Sequence, residues 1–207
     1  MTLGWTLFFL SFAPLLMCQQ PDCISVTSAF NDTILDQLSG KWYYVASVFE
    51  FLPYKEESQS IQSSFFYLIP NKTEDTILAK EYNTIGDKCV YQDFELPFNR
   101  TNGTIFKIDS TQKHAAQVAL TQDLNTLYFV YLSNEKVLPG MALCVRTQKA
   151  SEEQLKEFQK MAKCLGYQEE EFLFTDASKD KCESLEKEHN QKERKEAKDE
   201  FRTEELS

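Results

Sequence analysis

The chain alternates between short apolar runs and polar breaks from residue 41 to residue 146. The runs are rich in aromatic and β-branched residues, and the breaks are rich in residues that favour turns. This pattern predicts eight strands: Lys41–Phe49, Ile61–Ile69, Thr76–Asn83, Cys89–Leu96, Thr104–Ile108, Ala115–Thr121, Thr126–Leu132 and Met141–Arg146. Eight short strands at near-regular spacing are typical of an all-β fold, either an up-and-down antiparallel barrel or a sandwich, and eight strands can enclose one small ligand.

The first predicted strand is apolar on both of its faces. Strict alternation places its residues in two sets, with Trp42, Tyr44, Ala46 and Val48 on one face and Tyr43, Val45, Ser47 and Phe49 on the other. A strand of this kind needs cover on both sides, which indicates a barrel wall with further elements packed outside it. The one long break between strands, FLPYKEESQS at 51–60, follows directly.

The periodicity changes after residue 150. Ser151 and Gln154 form a capping-box pattern, and apolar residues then recur at helical spacing up to Gly166, which is a typical helix stop. This predicts an amphipathic helix outside the barrel, followed by a short strand at Glu171–Thr175. The segment beyond Cys182 is almost entirely charged and has no core-forming period, so it is either disordered or an exposed helix.

The N-terminus has the pattern of a secretory signal peptide. Residues 1–18 carry no charge and contain an apolar run that is too short to span a membrane, although the usual basic residues are missing. The alternative is an uncleaved anchor. Cleavage after Cys18 would expose Gln19, which can cyclise to pyrrolidone carboxylic acid. The predicted organisation is therefore a leader at 1–18, one domain at 19–182 and a charged, flexible tail at 183–207.

Charge and composition exclude several classes of partner. The net charge of −10 disfavours nucleic acid and anionic membranes, which select for an excess of Lys and Arg, and it favours encounters with cations. His114 and His189 are the only histidines and there is no CxxC pair, so no metal site and no cofactor are expected.

The cysteines and asparagines also fit export. Without Cys18, five cysteines remain, which in an oxidising compartment predicts two bridges and one free thiol, but spacing does not choose the pairing. Four Asn-x-Thr sequences predict exposed N-glycosylation sites, at Asn31, Asn71, Asn99 and Asn102.

Several motifs together resemble the lipocalin family. Gly40-Lys41-Trp42 opens the first strand, seven strands follow, and Arg146 precedes a single helix and a short strand. The resemblance implies an eight-stranded up-and-down barrel with one C-terminal helix packed outside. It also implies that Trp42 closes the barrel floor against Arg146, in a cation–π contact.

Longer stretches are similar to one group of secreted plasma glycoproteins within that family: FFYLIPNKTEDTILAKEY, TNGT, EEQLKEF and FTDASKDKCESLEKEH. This resemblance implies the bridges Cys23–Cys164 and Cys89–Cys182. It further implies a monomeric acute-phase and immunomodulatory protein of blood plasma, whose branched apolar cavity carries small hydrophobic or cationic amphiphilic ligands and steroids.

Alternation along the strands predicts which residues line the cavity: Trp42, Tyr44, Ser64, Phe66, Leu68, Ala79, Glu81, Asn83, Phe129, Tyr131, Ala142 and Cys144. The resemblance adds Tyr54 and Lys107 at the mouth. Glu81 would face a ligand ammonium, pair with Lys107 or remain solvated. Lys107 stands where close relatives have arginine, and Cys144 stands where the family has a tyrosine, which would widen one lobe.

Three functions are compatible with these observations. The first is a carrier that binds ligands without chemistry. The second is an enzyme that uses the cavity thiol Cys144, but no histidine near it in sequence would activate the thiolate, and no catalytic residue is nominated. The third is a glycoprotein that acts through its glycans and acidic tail, with an incidental cavity.

Overall fold

The computed structural model describes residues 23–24, 29–108, 113–132 and 138–204. The predicted leader at 1–18 and Gln19 lie outside these residues. The helices are α1 (Asp32–Leu38), α2 (Leu52–Ser60), α3 (Glu152–Leu165) and α4 (Glu183–Glu204), with short 3₁₀ turns at Glu169–Glu171 and Ala177–Lys179. The strands are β1 (Gly40–Val48), β2 (Ile61–Asn71), β3 (Thr76–Ile85), β4 (Lys88–Asn99), β5 (Thr104–Ile108), β6 (Lys113–Leu120), β7 (Thr126–Leu132), β8 (Gly140–Val145) and β9 (Leu173–Phe174).

Strands β1 to β8 form a closed antiparallel barrel in which each strand pairs with the next one in sequence. The barrel closes because β1 pairs with β8 on one side and with β2 on the other, where Trp42 lies opposite Phe66. This confirms the barrel and removes the sandwich alternative. In this topology α1 and the β2–β3 and β4–β5 turns lie at one end, and α2 lies at the other.

The predicted faces of β1 are wrong beyond Tyr44. Tyr44 lies opposite Cys144, but Ala46 lies opposite Leu143, so β1 contains one extra residue at this point. Such a β-bulge reverses the alternation. Ala46 and Val48 therefore pack outside the barrel in the same cluster as Phe158 of α3, and not on the face of Trp42. Where β1 leaves β2, the short strand β9 pairs with it.

Trp42 and Arg146 close the end of the barrel opposite α2. Trp42 is completely buried and its indole Nε1 donates to the carbonyl of Leu38, at 2.8 Å. The guanidinium of Arg146 lies 3.6 Å from the centre of the Trp42 ring and donates to the carbonyls of Lys41, Gln37 and Ser39. These contacts are the ones that the family resemblance implies.

Close packing at this end also explains Gly40. Its φ is +97°, which residues with a Cβ rarely adopt, and a Cβ there would lie 3.3 Å from Arg146 Nη1.

Helix α3 forms where its pattern predicts. Ser151 accepts from the backbone N–H of Gln154 while the Gln154 side chain accepts from the backbone N–H of Ser151, and Gly166 ends the helix in the left-handed region. Phe158 and Ala162 are fully buried against the outside of β1, β7 and β8.

The structure contains two disulfides, Cys23–Cys164 and Cys89–Cys182, the pairing that the resemblance implies. The first ties the N-terminal arm to the end of α3, and the second ties β4 to the start of α4. They join residues that are 141 and 93 positions apart in sequence. Each bridge therefore stabilises the folded protein by roughly 4–5 kcal/mol, because it lowers the chain entropy of the unfolded state. Cys144 is the free cysteine among the described residues.

The charged segment after Cys182 forms α4, whose first half packs on the outside of the barrel. Glu186 accepts from Lys41 Nζ, at 2.5 Å, and from the hydroxyl of Tyr67. His189 lies 4.5 Å from the ring centre of Tyr91, and its Nδ1 is 2.9 Å from the hydroxyl of Tyr82. The helix therefore covers an aromatic strip on β2, β3 and β4. None of the helices within the described ranges combines the length and apolar character that crossing a membrane requires.

Candidate ligand-binding cavity

The barrel encloses a cavity with two connected lobes. The outer lobe has a volume of about 380 Å³ and the inner lobe one of about 110 Å³. Both lobes are bounded by Glu57, Ser58, Glu81, Phe94, Leu96 and Phe129. Most of the remaining lining is apolar, so the cavity offers a ligand a large apolar surface and few polar groups, as small-molecule sites usually do.

Helix α2 lies across the mouth and contributes lining residues from one of its sides. The hydroxyl of Tyr54 lies 2.6 Å from Nδ1 of His114, and the hydroxyl of Ser58 lies 2.9 Å from that of Tyr44. Edge-to-face contacts also join Phe49 to Tyr54 and to Tyr131. The helix is therefore held to β1, β6 and β7 by its cavity side, which makes it a partial cover for the outer lobe.

The inner lobe is small and has the more polar lining. Tyr44, Ser64, Asn83 and Cys144 surround it. Asn83 is 6% exposed, and its Oδ1 accepts no hydrogen bond within the described part of the chain. An unpaired carbonyl oxygen of this kind favours a ligand group that donates a hydrogen bond.

Two carboxylates, Glu57 and Glu81, line both lobes, and Glu81 is the less exposed of the two. Part of its surface faces the cavity, but protein surrounds it on almost every side. Burial raises the pKa of Glu81, the nearby carboxylate of Glu57 raises it further, and the charge of Lys107 and the side chain of Asn83 oppose the shift. The charged form is therefore poorly compensated in the empty barrel.

Lys107 does not form an ion pair with Glu81 in the described part of the chain. Its ammonium instead lies 4.1 Å from the ring centre of Phe94, on the wall of the outer lobe. Of the alternatives for Glu81, a direct pair with Lys107 is thus absent among the described residues, and a ligand cation or water is left to join Asn83 as its partner.

Cys144 lies at the inner lobe and is fully buried. Burial raises the pKa of this thiol well above its ordinary value, and the charge of Glu81 raises it further. The thiolate that nucleophilic chemistry needs is therefore disfavoured.

The structure brings together ten of the eleven residues predicted for ligand binding: Tyr44, Tyr54, Phe66, Leu68, Glu81, Asn83, Lys107, Phe129, Tyr131 and Cys144. Trp42 is the exception, because it lies in the floor among Leu35, Leu38 and Phe30. Apart from Tyr54 and Lys107, sequence reasoning missed the lining residues from α2 and from β4 to β6, and it placed Phe49 on the face opposite Trp42. Alternation in β4 would have found Phe94 and Leu96, but no periodic signal marks Pro53, Glu57 or Ser58.

All four asparagines of the Asn-x-Thr sequences are exposed. Asn31 caps α1 and accepts from the backbone N–H of Ile34. The other three accept, through Oδ1, from the backbone N–H two residues later. All four lie at the closed end of the barrel, away from the mouth. Within the described ranges no group of His, Cys, Asp and Glu residues could hold a metal ion.

Comparisons with known proteins agree with this architecture. The Lipocalin / cytosolic fatty-acid binding protein family matches residues 39–179. The chain is 37% identical to an α1-acid glycoprotein of Bos taurus and 39% identical to one of Oryctolagus cuniculus, in each case over 95% of this chain and 98% of the relative.

Among solved structures, the siderocalin Ex-FABP superposes with a TM-score of 0.52 at 17% identity, over 67% of this chain and 93% of that one. Lipocalin 12 from rat epididymis gives a TM-score of 0.56 at 14% identity, over 74% and 89% of the two chains. At these identities the two structures support the fold alone.

Proposed function

This chain belongs to the lipocalin family, and we propose that it is a secreted plasma carrier that binds small apolar ligands, including cationic amphiphiles and steroids, inside its barrel. The observation that carries the proposal is the two-lobed apolar cavity with one poorly compensated carboxylate, Glu81, at its centre. The similarity to α1-acid glycoproteins over nearly the whole chain supports it.

Desolvation would supply most of the affinity. A ligand that buries about 300 Å² of apolar surface gains on the order of 7 kcal/mol before the costs of association. The aromatic residues Phe66, Phe94 and Phe129 supply much of that surface. Glu81 then adds selectivity, because a bound ammonium restores the compensation that burial removes from the carboxylate.

Export, glycosylation and a role in the acute-phase and immune response complete the proposal. The apolar leader, the two disulfides and the four exposed sequons support secretion into plasma, with a mature N-terminus at Gln19 and glycans on Asn31, Asn71, Asn99 and Asn102. Glycans at those positions would leave the mouth uncovered. A catalytic role for Cys144 is not proposed, because its burial disfavours the thiolate.

The test compares an aromatic amine with an alcohol of the same shape, 4-phenylbutylamine and 4-phenylbutanol, by isothermal titration calorimetry. We expect saturable binding of both. Glu81→Gln should weaken the amine roughly tenfold, as expected for the loss of a charged contact in a buried site, and should weaken the alcohol by less than about threefold.

Glu56→Gln is the matched control, because Glu56 is exposed on α2 and does not line either lobe. It should leave both affinities unchanged. Equal weakening of amine and alcohol by Glu81→Gln would refute the role of the charge, and a lack of saturable binding of either ligand would refute the carrier.

A further inference from the structure

A second concave site lies outside the barrel, between α3 and the outer faces of β6 and β7. It is a trough of about 510 Å³, which is within the range of sites that hold drug-sized molecules. Its apolar lining includes Leu120, Met161 and Ile24, the last of which follows the Cys23–Cys164 bridge. The trough and the barrel cavity share no lining residue in the described part of the chain.

The trough exists because α3 covers β6 incompletely. Phe158 and Ala162 hold the helix on the neighbouring strands, where larger side chains such as Leu143 meet it. Met161 lies one turn after Glu157, so both side chains line the same edge of the trough.

The wall of the trough holds a polar group that lacks a partner. Tyr128 lines the trough and is completely buried, and its hydroxyl has no hydrogen bond within the described residues. A buried hydroxyl without a partner is destabilising, so this wall of the trough lowers the stability of the ligand-free protein. Burial raises the pKa of Tyr128, and the carboxylates of Glu157 and Asp123 raise it further, so the hydroxyl keeps its proton.

The charge of the trough is negative. Its described lining includes two carboxylates and no basic side chain. The carboxylate of Asp123 already accepts hydrogen bonds from Thr126, Asn125 and Gln154, so it stabilises the β6–β7 turn. Glu157 is exposed and, in the part of the chain that the structure describes, takes part in no ion pair. It is therefore the carboxylate available to a ligand.

We propose that this trough is a second ligand site, which takes a small amphiphilic amine independently of the barrel. The apolar body of the ligand lies on Met161 and Ile24, and its ammonium contacts Glu157.

Methyl NMR of ¹³C-methionine reports on this site directly, because Met161 lines the trough. The probe is 4-amino-TEMPO with an N-octyl chain, and its neutral counterpart is 4-octanamido-TEMPO. We expect the amine to broaden the Met161 methyl signal at about fivefold lower concentration than the amide, because the contact with the exposed Glu157 is partly screened by solvent.

Variants separate this site from the barrel. Glu157→Gln should raise the concentration of the amine that broadens the Met161 signal to the concentration that the amide needs. Glu153→Gln, an exposed position one turn earlier on α3, is the matched control and should change nothing. Glu81→Gln should also leave the Met161 response unchanged, and a lost response in that variant would place the amine in the barrel.

Equal broadening by amine and amide in the wild-type protein would overturn the proposal. So would an unchanged amine response in Glu157→Gln, or no broadening of Met161 at a concentration that saturates the barrel.

Discussion

Replacing Arg146 with alanine should destabilise the protein by about 3 kcal/mol, because this guanidinium holds the barrel floor together. Two of its hydrogen bonds, to Lys41 O and Gln37 O, are partly shielded from solvent and contribute about 1 kcal/mol each. The cation–π contact with Trp42, at 3.6 Å, adds a similar amount. The bond to Ser39 O is exposed and adds little.

Equilibrium unfolding in urea, with the disulfides intact, measures this loss. For a protein of this size, 3 kcal/mol corresponds to a melting temperature lower by about 6–12 °C. Arg146→Lys should recover only part of the stability, since an ammonium cannot donate to three carbonyls in the plane that stacks on Trp42. Lys149→Ala, at an exposed position in the same segment, is the control. A loss below about 1 kcal/mol for Arg146→Ala, or full recovery with lysine, would refute this reasoning.

Three further predictions concern the barrel and its outer helix. The pKa of Glu81 is raised in the folded state, so ionisation of this carboxyl destabilises the protein as the pH rises through and above the ordinary pKa of a glutamate. Glu81→Gln should therefore be more stable than wild type at pH 8 and equally stable at pH 3. Denaturant unfolding that shows the same difference in stability at both pH values would contradict this. Gly140→Ala should cost about 2 kcal/mol in thermal unfolding, since the new Cβ would lie 2.2 Å from the ring of Phe49, and an unchanged melting temperature would show that the ring moves aside freely. Glu186→Gln should weaken the contact with Tyr67 and raise the rate of amide hydrogen exchange in the first half of α4, while the amides of β2 stay protected. An unchanged exchange rate would show that the helix does not depend on this contact.

The strands of the barrel could be predicted closely because alternation is a local property of the sequence. All eight predicted strands exist, with ends that differ by a few residues. The cavity residues of β2 and β3 followed from the same alternation, since these strands are regular through Phe66 and Glu81.

The bulge in β1 shows where that reasoning fails. The extra residue after Tyr44 is set by the pairing with β8, which no pattern within β1 reveals. Helix α2 was missed for a related reason: it has no apolar stripe, and its position depends on contacts of Tyr54 and Ser58 with distant strands. The charged segment after Cys182 likewise becomes a packed helix through partners on the barrel, among them Lys41 and Tyr91, that are far away in sequence.

The central claim is that the barrel interior is a ligand site centred on Glu81. A crystal structure of the protein with 4-phenylbutylamine tests it most directly. We expect density for the phenyl ring between Phe94 and Phe129 and for the ammonium next to the Glu81 carboxylate. Ligand density only outside the barrel, or an interior filled by the protein's own aromatic side chains, would contradict the claim.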